Sequence, residues 1–92
     1  MEKTAVFAGT FDPFTMGHYD VARRAAAVFD RLVVAVAEDS GAKRAVASAA
    51  ERLAIVRASV ADLPNVSAEI FGGFLTDFAA RAGSRILVRG LR

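Results

Sequence analysis

Short apolar runs alternate with apolar residues at helical spacing along the whole chain. The short run at residues 4–8 is typical of a buried strand, and the run at residues 32–37 is rich in valine and apolar on both faces, as a central parallel strand requires. Between these two runs, apolar residues at helical spacing predict a first helix over residues 18–29. The members of its expected apolar stripe are Val21, Ala25, Val28 and Phe29.

A second helix is predicted after a polar loop at residues 38–47. Ser48 and Glu51 have the spacing of a capping box, in which each side chain accepts a hydrogen bond from the backbone amide of the other residue. Pro64 is expected to end this helix, because a proline interrupts helical hydrogen bonding. The buried stripe of the helix is expected at Leu53, Val56, Val60 and Leu63.

The remainder of the chain adds a weaker strand at residues 66–71, a short helix and a last strand at residues 86–88. The short helix is expected to bury Leu75, Phe78, Ala79 and Ala82 and to end at a C-terminal cap on Gly83. The order βαβαβαβ predicts an α/β fold, a Rossmann-like parallel sheet with helices on both faces. Ligands bind beyond the carboxyl ends of such strands, so one crevice is expected at the loops after Ala8, Ala37, Phe71 and Val88.

The composition restricts the chemistry and the location. Ninety-two residues suit one small domain, and the absence of cysteine excludes disulfides, thiolate metal sites and cysteine nucleophiles. A single histidine excludes a site with several histidine ligands, and a net charge of +2 without a block of like charges does not favour nucleic-acid or lipid binding. Since no apolar run approaches the roughly 18 residues of a membrane span, a cytoplasmic protein is expected.

The loop after the first strand carries the most unusual residues. It reads GTFDPFTMGH over residues 9–18, and it places Gly17 and His18 at a helix start. Helix starts bind anions through unpaired amides and a partial positive charge, so a phosphate could approach Gly17 closely and meet the ring of His18. The alternative is a glycine-rich turn that only joins strand to helix, with His18 on the solvated surface. Neither a Walker A loop nor GxGxxG is present.

The segment GTFDPFTMGHYD, residues 9–20, resembles the signature of the phosphopantetheine adenylyltransferase family, nucleotidyltransferases that carry HxGH or TxGH. RGLR at residues 89–92 resembles a second signature of that family, and LPNV at residues 63–66 also fits it. The resemblance implies transfer of AMP from ATP to 4′-phosphopantetheine, which gives dephospho-coenzyme A and pyrophosphate. It also implies Mg²⁺ carried with ATP and a homo-oligomer, a hexamer in the family.

The same resemblance implies roles for individual residues. His18 would bind the α-phosphate and act as the catalytic residue. The substrate-binding residues would be Thr10, Lys43, Leu75 and Arg89. The ATP-binding residues would be Thr10, Phe11, Gly17, His18, Gly90, Leu91 and Arg92. No protein ligand to a metal is implied.

Several of these residues have structural alternatives. Lys43 and Arg44 could be solvated charges, and Leu75 could belong to the core. Arg89 and Arg92 could be exposed residues after a strand. Asp12 could form an Asx turn, while Glu38 and Asp39 could bind a metal or lie in a solvated loop.

The chain also departs from the family pattern. Ala8 replaces a proline, the loop around Lys43 is one residue longer, and the family continues well beyond RGLR. Residues 1–92 are therefore expected to be the N-terminal part of a single nucleotidyltransferase domain, and to show little adenylyl transfer alone. The alternatives are an inactive nucleotide-binding half-domain or fragment, and a related nucleotidyltransferase with another acceptor.

Overall fold

Strands and helices alternate in the predicted order in the computed structural model, which describes residues 2–38 and 47–89. The elements are β1 (Thr4–Gly9), α1 (Met16–Val28), β2 (Arg31–Ala37), α2 (Ala49–Ser59), β3 (Val66–Phe71), α3 (Leu75–Arg81) and β4 (Ile86–Val88). All seven predicted elements are therefore confirmed, with differences at the ends of two helices.

The four strands form one parallel sheet in the order β3-β2-β1-β4. Ala5 of β1 pairs with Leu32 of β2 on one side and with Ile86 of β4 on the other. From β1 the sheet grows outward through β2 and β3, and the chain then returns to add β4 on the opposite side of β1. This reversal between β1 and β4 is the topological switch point at which α/β sheets bind ligands.

Helices cover both faces of the sheet, as predicted. On one face, Ala5, Phe7, Leu32, Val34, Val36 and Ala68 pack with Ala22 and Ala25 of α1 and with Val56 and Val60 of the α2 region. On the other face, Val6, Val33 and Ala35 pack with Phe78 and Ala79 of α3. Successive strand residues point to opposite faces, which is why β1 and β2 are apolar at nearly every position.

The first helix differs from the prediction at its start and on its buried face. It begins at Met16 rather than at residue 18, because Thr15 caps it. Val28 was predicted to be buried, which is wrong, since its exposed fraction is 73%. The stripe against the sheet runs through Ala22, Ala25 and the half-buried Phe29, and Val28 lies about a quarter of a turn away from it.

The second helix confirms the predicted capping box but ends earlier than predicted. Ser48 Oγ accepts from the Glu51 amide at 3.1 Å, and Glu51 Oε1 accepts from the Ser48 amide at 3.0 Å, which lowers the pKa of the Glu51 carboxyl. The helix ends at Ser59 with Val60 as its cap, so Pro64 does not end it. Pro64 disfavours a helical conformation at the preceding residue, and the chain turns twice between Val60 and β3.

The third helix ends at Arg81 with Ala82 as its cap residue, and Gly83, the glycine predicted to terminate it, follows directly. Gly83 has a φ of +77°, its amide donates to the Ala80 carbonyl, and the Ser84 amide donates to the Ala79 carbonyl at 2.8 Å. This pair of bonds is a Schellman motif, which requires the left-handed conformation that glycine adopts without strain. The buried Ser84 hydroxyl then donates to the Thr4 carbonyl and fixes the end of α3 beside β1.

The side chain of Asn65, which is distant in sequence, caps the C-terminal end of α1. Its side-chain amide donates to the carbonyls of Ala26, Phe29 and Asp30 at 2.8, 3.2 and 3.3 Å. The last carbonyls of a helix have no partner within the helix, so Asn65 supplies hydrogen bonds that α1 cannot make itself. The LPNV segment therefore has a structural role, which is to join the start of β3 to the end of α1.

We expect Asn65→Ala to lower the free energy of unfolding of the full-length protein by about 1–3 kcal/mol, because part-buried carbonyls lose their donor. Denaturant unfolding measures the change. Asn65→Asp is the matched variant: it keeps the shape but presents only acceptors to these carbonyls, so it should be at least as destabilising. Wild-type stability of Asn65→Asp would contradict this role.

Candidate active site

The carboxyl ends of the strands lie at one edge of the sheet because all four strands are parallel. The loops after β1, β2, β3 and β4 therefore start at that edge, and the prediction that they line one crevice stays a prediction. Arg89 comes directly after Val88, which pairs with Phe7, so Arg89 and the β1 loop follow neighbouring strands at the switch point. The segment after β3 starts two strands from β1, roughly 10 Å away at normal strand spacing.

The β1 loop is built around a buried phenylalanine in an unusual backbone conformation. Phe11 has a φ of +54°, which is strained for a bulky side chain, and its exposed fraction is only 5%. Its ring packs edge-on against Phe7 and Phe14, with centroid distances of 5.2 and 5.3 Å. A Cβ at Gly9 would lie 3.1 Å from the Phe11 ring, so the glycine lets this ring lie over the end of β1.

Thr15 and His18 form a capping box at the start of α1. The Thr15 amide donates to His18 Nδ1 at 2.9 Å, and the His18 amide donates to Thr15 Oγ1 at 3.3 Å. An amide can only donate, so Nδ1 must accept, and the proton of the neutral ring is placed on Nε2. The helix start therefore fixes both the tautomer and the orientation of the imidazole.

Aromatic side chains also hold the ring of His18. Its centroid lies 5.1 Å from that of Phe11, 5.5 Å from that of Phe14 and 6.3 Å from that of Phe7. The half-buried His18 is thus fixed by packing as well as by hydrogen bonds. A histidine that lay only on the solvated surface would not make these ring contacts. A preorganised Nε2–H donor at a helix start is suited to stabilising charge on a phosphoryl oxygen.

The other predicted residues near this helix start are exposed. Thr10 and Arg89 are exposed at the ends of β1 and β4, and Gly17 is exposed in the first turn of α1. A Cβ at Gly17 would meet only Thr15 Oγ1, at 3.6 Å, so the protein itself leaves room for a side chain there. The structure thus brings Thr10, Gly17, His18 and Arg89 to one edge of the sheet.

The remaining predicted residues lie elsewhere in the described structure or outside the described ranges. Leu75 starts α3 and packs, half-buried, against the second core cluster. Glu38 is exposed; its amide donates to the Phe71 carbonyl and its carboxylate lies against Gly72. The residues that lie outside the described ranges are Asp39, Lys43, Arg44, Gly90, Leu91 and Arg92.

Sequence reasoning missed two features of this site. The Thr15–His18 box has the spacing of a capping box, but histidine stands where glutamate or glutamine is usual. Arg52 is buried, with an exposed fraction of 1%, and donates to the backbone carbonyls of Thr10 after β1, Ala37 at the end of β2 and Ala47 before α2. Asp12, for which an Asx turn was one alternative, accepts a long hydrogen bond of 3.4 Å from the Ala47 amide.

Two absences apply to residues 2–38 and 47–89. No three His, Asp or Glu side chains in these ranges lie close enough together to hold a metal ion. No helix within them has the length and apolar character needed to cross a membrane.

The family model described as cytidylyltransferase-like matches residues 6–92, and the chain belongs to this family. It is similar to the phosphopantetheine adenylyltransferase of Thiobacillus denitrificans, with 54% identity over 89 residues, which are 97% of this chain and 55% of that protein. The phosphopantetheine adenylyltransferase of Moorella thermoacetica is 49% identical over 90 residues, 98% of this chain and 56% of the relative. The chain thus spans about half the length of these curated relatives.

A solved structure supports the fold. The lipopolysaccharide core biosynthesis protein from Thermoplasma volcanium GSS1 superposes with a TM-score of 0.73 at 24% identity, over 95% of this chain and 73% of that one. At this identity the match concerns the arrangement of strands and helices alone.

Proposed function

We propose that the full-length protein transfers AMP from ATP to 4′-phosphopantetheine and forms dephospho-coenzyme A and pyrophosphate. The observation that carries this function is the Thr15–His18 capping box, which fixes an Nε2–H donor at a helix start beside the switch point. The choice of acceptor rests on the similarity to phosphopantetheine adenylyltransferases over nearly the whole chain.

The reaction is an in-line displacement at the α-phosphorus. An oxygen of the acceptor phosphate forms the new bond to this phosphorus, and the bond to the bridging oxygen of the β-phosphate breaks, so that pyrophosphate leaves with the electron pair. Such a transfer needs no protein nucleophile, only positioning and stabilisation of the charge on phosphoryl oxygens. His18 would stabilise charge on the α-phosphate, and the amides at the start of α1 would add to this effect.

We assign the acceptor phosphate to Thr10 and Arg89, which follow neighbouring strands. Gly17 would let a phosphate of ATP approach the start of α1. The Phe11 ring is buried, so a contact between Phe11 and ATP would come from its backbone. Further assignments, made from the resemblance alone, are Lys43 and Leu75 for the acceptor and Gly90, Leu91 and Arg92 for ATP.

Magnesium is expected to arrive on the phosphates of ATP, because this ion usually keeps several waters and uses few protein carboxylates. We assign it no protein ligand. We further propose a cytoplasmic enzyme that works as a homo-oligomer, which size-exclusion chromatography with light scattering can test.

The acceptor is tested by coupled detection of pyrophosphate with the full-length protein, ATP and a panel of acceptors. We expect turnover with 4′-phosphopantetheine to exceed that with nicotinamide mononucleotide or with phosphorylated alcohols that lack the pantetheine arm. Equal or better turnover with another acceptor would assign the protein to a different reaction. ATP binding without turnover on any acceptor would favour the inactive nucleotide-binding protein.

Thr15→Ala separates the capping of α1 from the positioning of His18. Ser48→Ala is the matched control, because the Ser48 side chain caps α2 with the same geometry and makes its capping hydrogen bonds with Glu51 rather than with His18. Each variant should lower the free energy of unfolding by about 1 kcal/mol. Only Thr15→Ala should also lower kcat, since only Thr15 orients His18. Equal kcat values for the two variants would show that the box has no role in catalysis.

A further inference from the structure

Arg52 lies in the first turn of α2, yet its guanidinium is buried beneath two loops of the active-site edge. Its Nη1 donates to the Thr10 carbonyl at 2.7 Å and to the Ala37 carbonyl at 2.9 Å. Its Nε donates to the Ala47 carbonyl at 3.0 Å. One side chain therefore joins the β1 loop, the end of β2 and the segment that leads into α2.

The position is an unfavourable one for a cation. A positive charge in the first turn of a helix opposes the helix dipole, and a buried charge requires hydrogen bonds that replace its hydration. A residue that breaks such local rules, with its donors directed to loops, is more often explained by function than by stability. The planar guanidinium can meet carbonyls in fixed directions from separate nitrogens, which the single ammonium nitrogen of lysine cannot reproduce.

We propose that Arg52 is a positioning residue for the adenylyl transfer described above. It holds the Thr10 carbonyl at a fixed distance from the carboxyl end of β2, and so fixes the β1 loop. Thr10 and Phe11 belong to this loop, and the Phe11 ring in turn packs on the ring of His18. Arg52 thus acts on the proposed reaction through Thr10 and His18 rather than by touching the substrate.

Arg57 is a matched control on the same helix. Its Nε and Nη2 also donate to a backbone carbonyl, that of Ala68 at 3.2 and 3.0 Å, but Ala68 lies within the edge strand β3 and not in a loop of the active-site edge. Loss of Arg57 therefore removes a comparable kind of contact without affecting the β1 loop.

The test compares Arg52→Lys with Arg57→Lys in the full-length protein. Lysine keeps the charge and most of the volume, so it avoids the folding failure that Arg52→Met could cause. We expect Arg52→Lys to lower kcat/KM for the acceptor about 10-fold, since small displacements of positioning groups cost up to about 100-fold in rate. Arg57→Lys should leave kcat/KM close to the wild-type value, because its partner Ala68 lies within β3 and not in the β1 loop. Equal effects of the two variants, or no effect of Arg52→Lys, would overturn the positioning role.

Amide hydrogen exchange tests the role of Arg52 without relying on the proposed function. If the wild type does not use 4′-phosphopantetheine, the proposed function fails, and exchange decides the role of Arg52. Faster exchange of the Thr10, Phe11 and Asp12 amides in Arg52→Lys, with wild-type rates in Arg57→Lys, would support the proposal that Arg52 fixes the β1 loop. Unchanged exchange at these amides in Arg52→Lys would overturn it.

Discussion

His18→Ala should lower kcat of the full-length protein by about 10²–10³-fold, the usual effect of losing one preorganised donor to a developing oxyanion. KM for ATP should change much less, because the contribution of His18 is expected mainly in the transition state. Steady-state kinetics with ATP and 4′-phosphopantetheine measure both constants. A kcat within a few-fold of the wild-type value would show that His18 is not catalytic.

His18→Gln is the control for the structural role of the same residue. Glutamine is a usual partner in a capping box, so its side chain can accept from the Thr15 amide as Nδ1 does now. The variant should therefore recover the stability that His18→Ala loses and still lack the imidazole donor. A kcat that recovers together with the stability would mean that His18 acts only as a cap.

Phe11→Ala should lower the free energy of unfolding by about 3–5 kcal/mol, the usual cost of removing a buried phenylalanine side chain. The ring joins Phe7, Phe14 and His18, so its loss leaves a cavity beneath the active-site loop. Alanine also stays in the left-handed conformation, which it adopts no more easily than phenylalanine. Denaturant unfolding measures the change.

Phe74→Ala is the matched control, because the exposed fraction of Phe74 is 76%. The free energy of unfolding of the Phe74→Ala variant should lie within about 0.5 kcal/mol of the wild-type value. A loss for Phe11→Ala no larger than that for Phe74→Ala would contradict the packing described for the β1 loop.

The order and type of the elements were predictable because local rules agree with the fold. Short apolar runs predicted β1 and β2, and the Ser48–Glu51 spacing predicted the start of α2. Gly83 was predictable because a helix cap with positive φ favours glycine. The exposure of Val28 was not, since the alanines of α1 that pack closely on the sheet carry a weaker apolar signal than valine.

The active site was predictable only in part. The motif over residues 9–18 indicated His18 and the helix start, but it did not show that Thr15 fixes the tautomer of the ring. Arg52 was missed because its hydrogen bond to Thr10 joins positions 42 residues apart. Such a contact depends on how the strands assemble, and no local pattern around Arg52 reveals it.

The central claim is adenylyl transfer at the edge of the sheet where β1 and β4 meet, and its most direct test follows the α-phosphorus of ATP. The full-length protein is incubated with 4′-phosphopantetheine and ATP labelled at the α-phosphorus, and the products are separated. We predict that the label appears in dephospho-coenzyme A, that pyrophosphate stays unlabelled, and that His18→Ala slows the transfer about 10²–10³-fold. Label that stays in ADP, with the γ-phosphate on the acceptor, would show phosphoryl transfer and contradict the account.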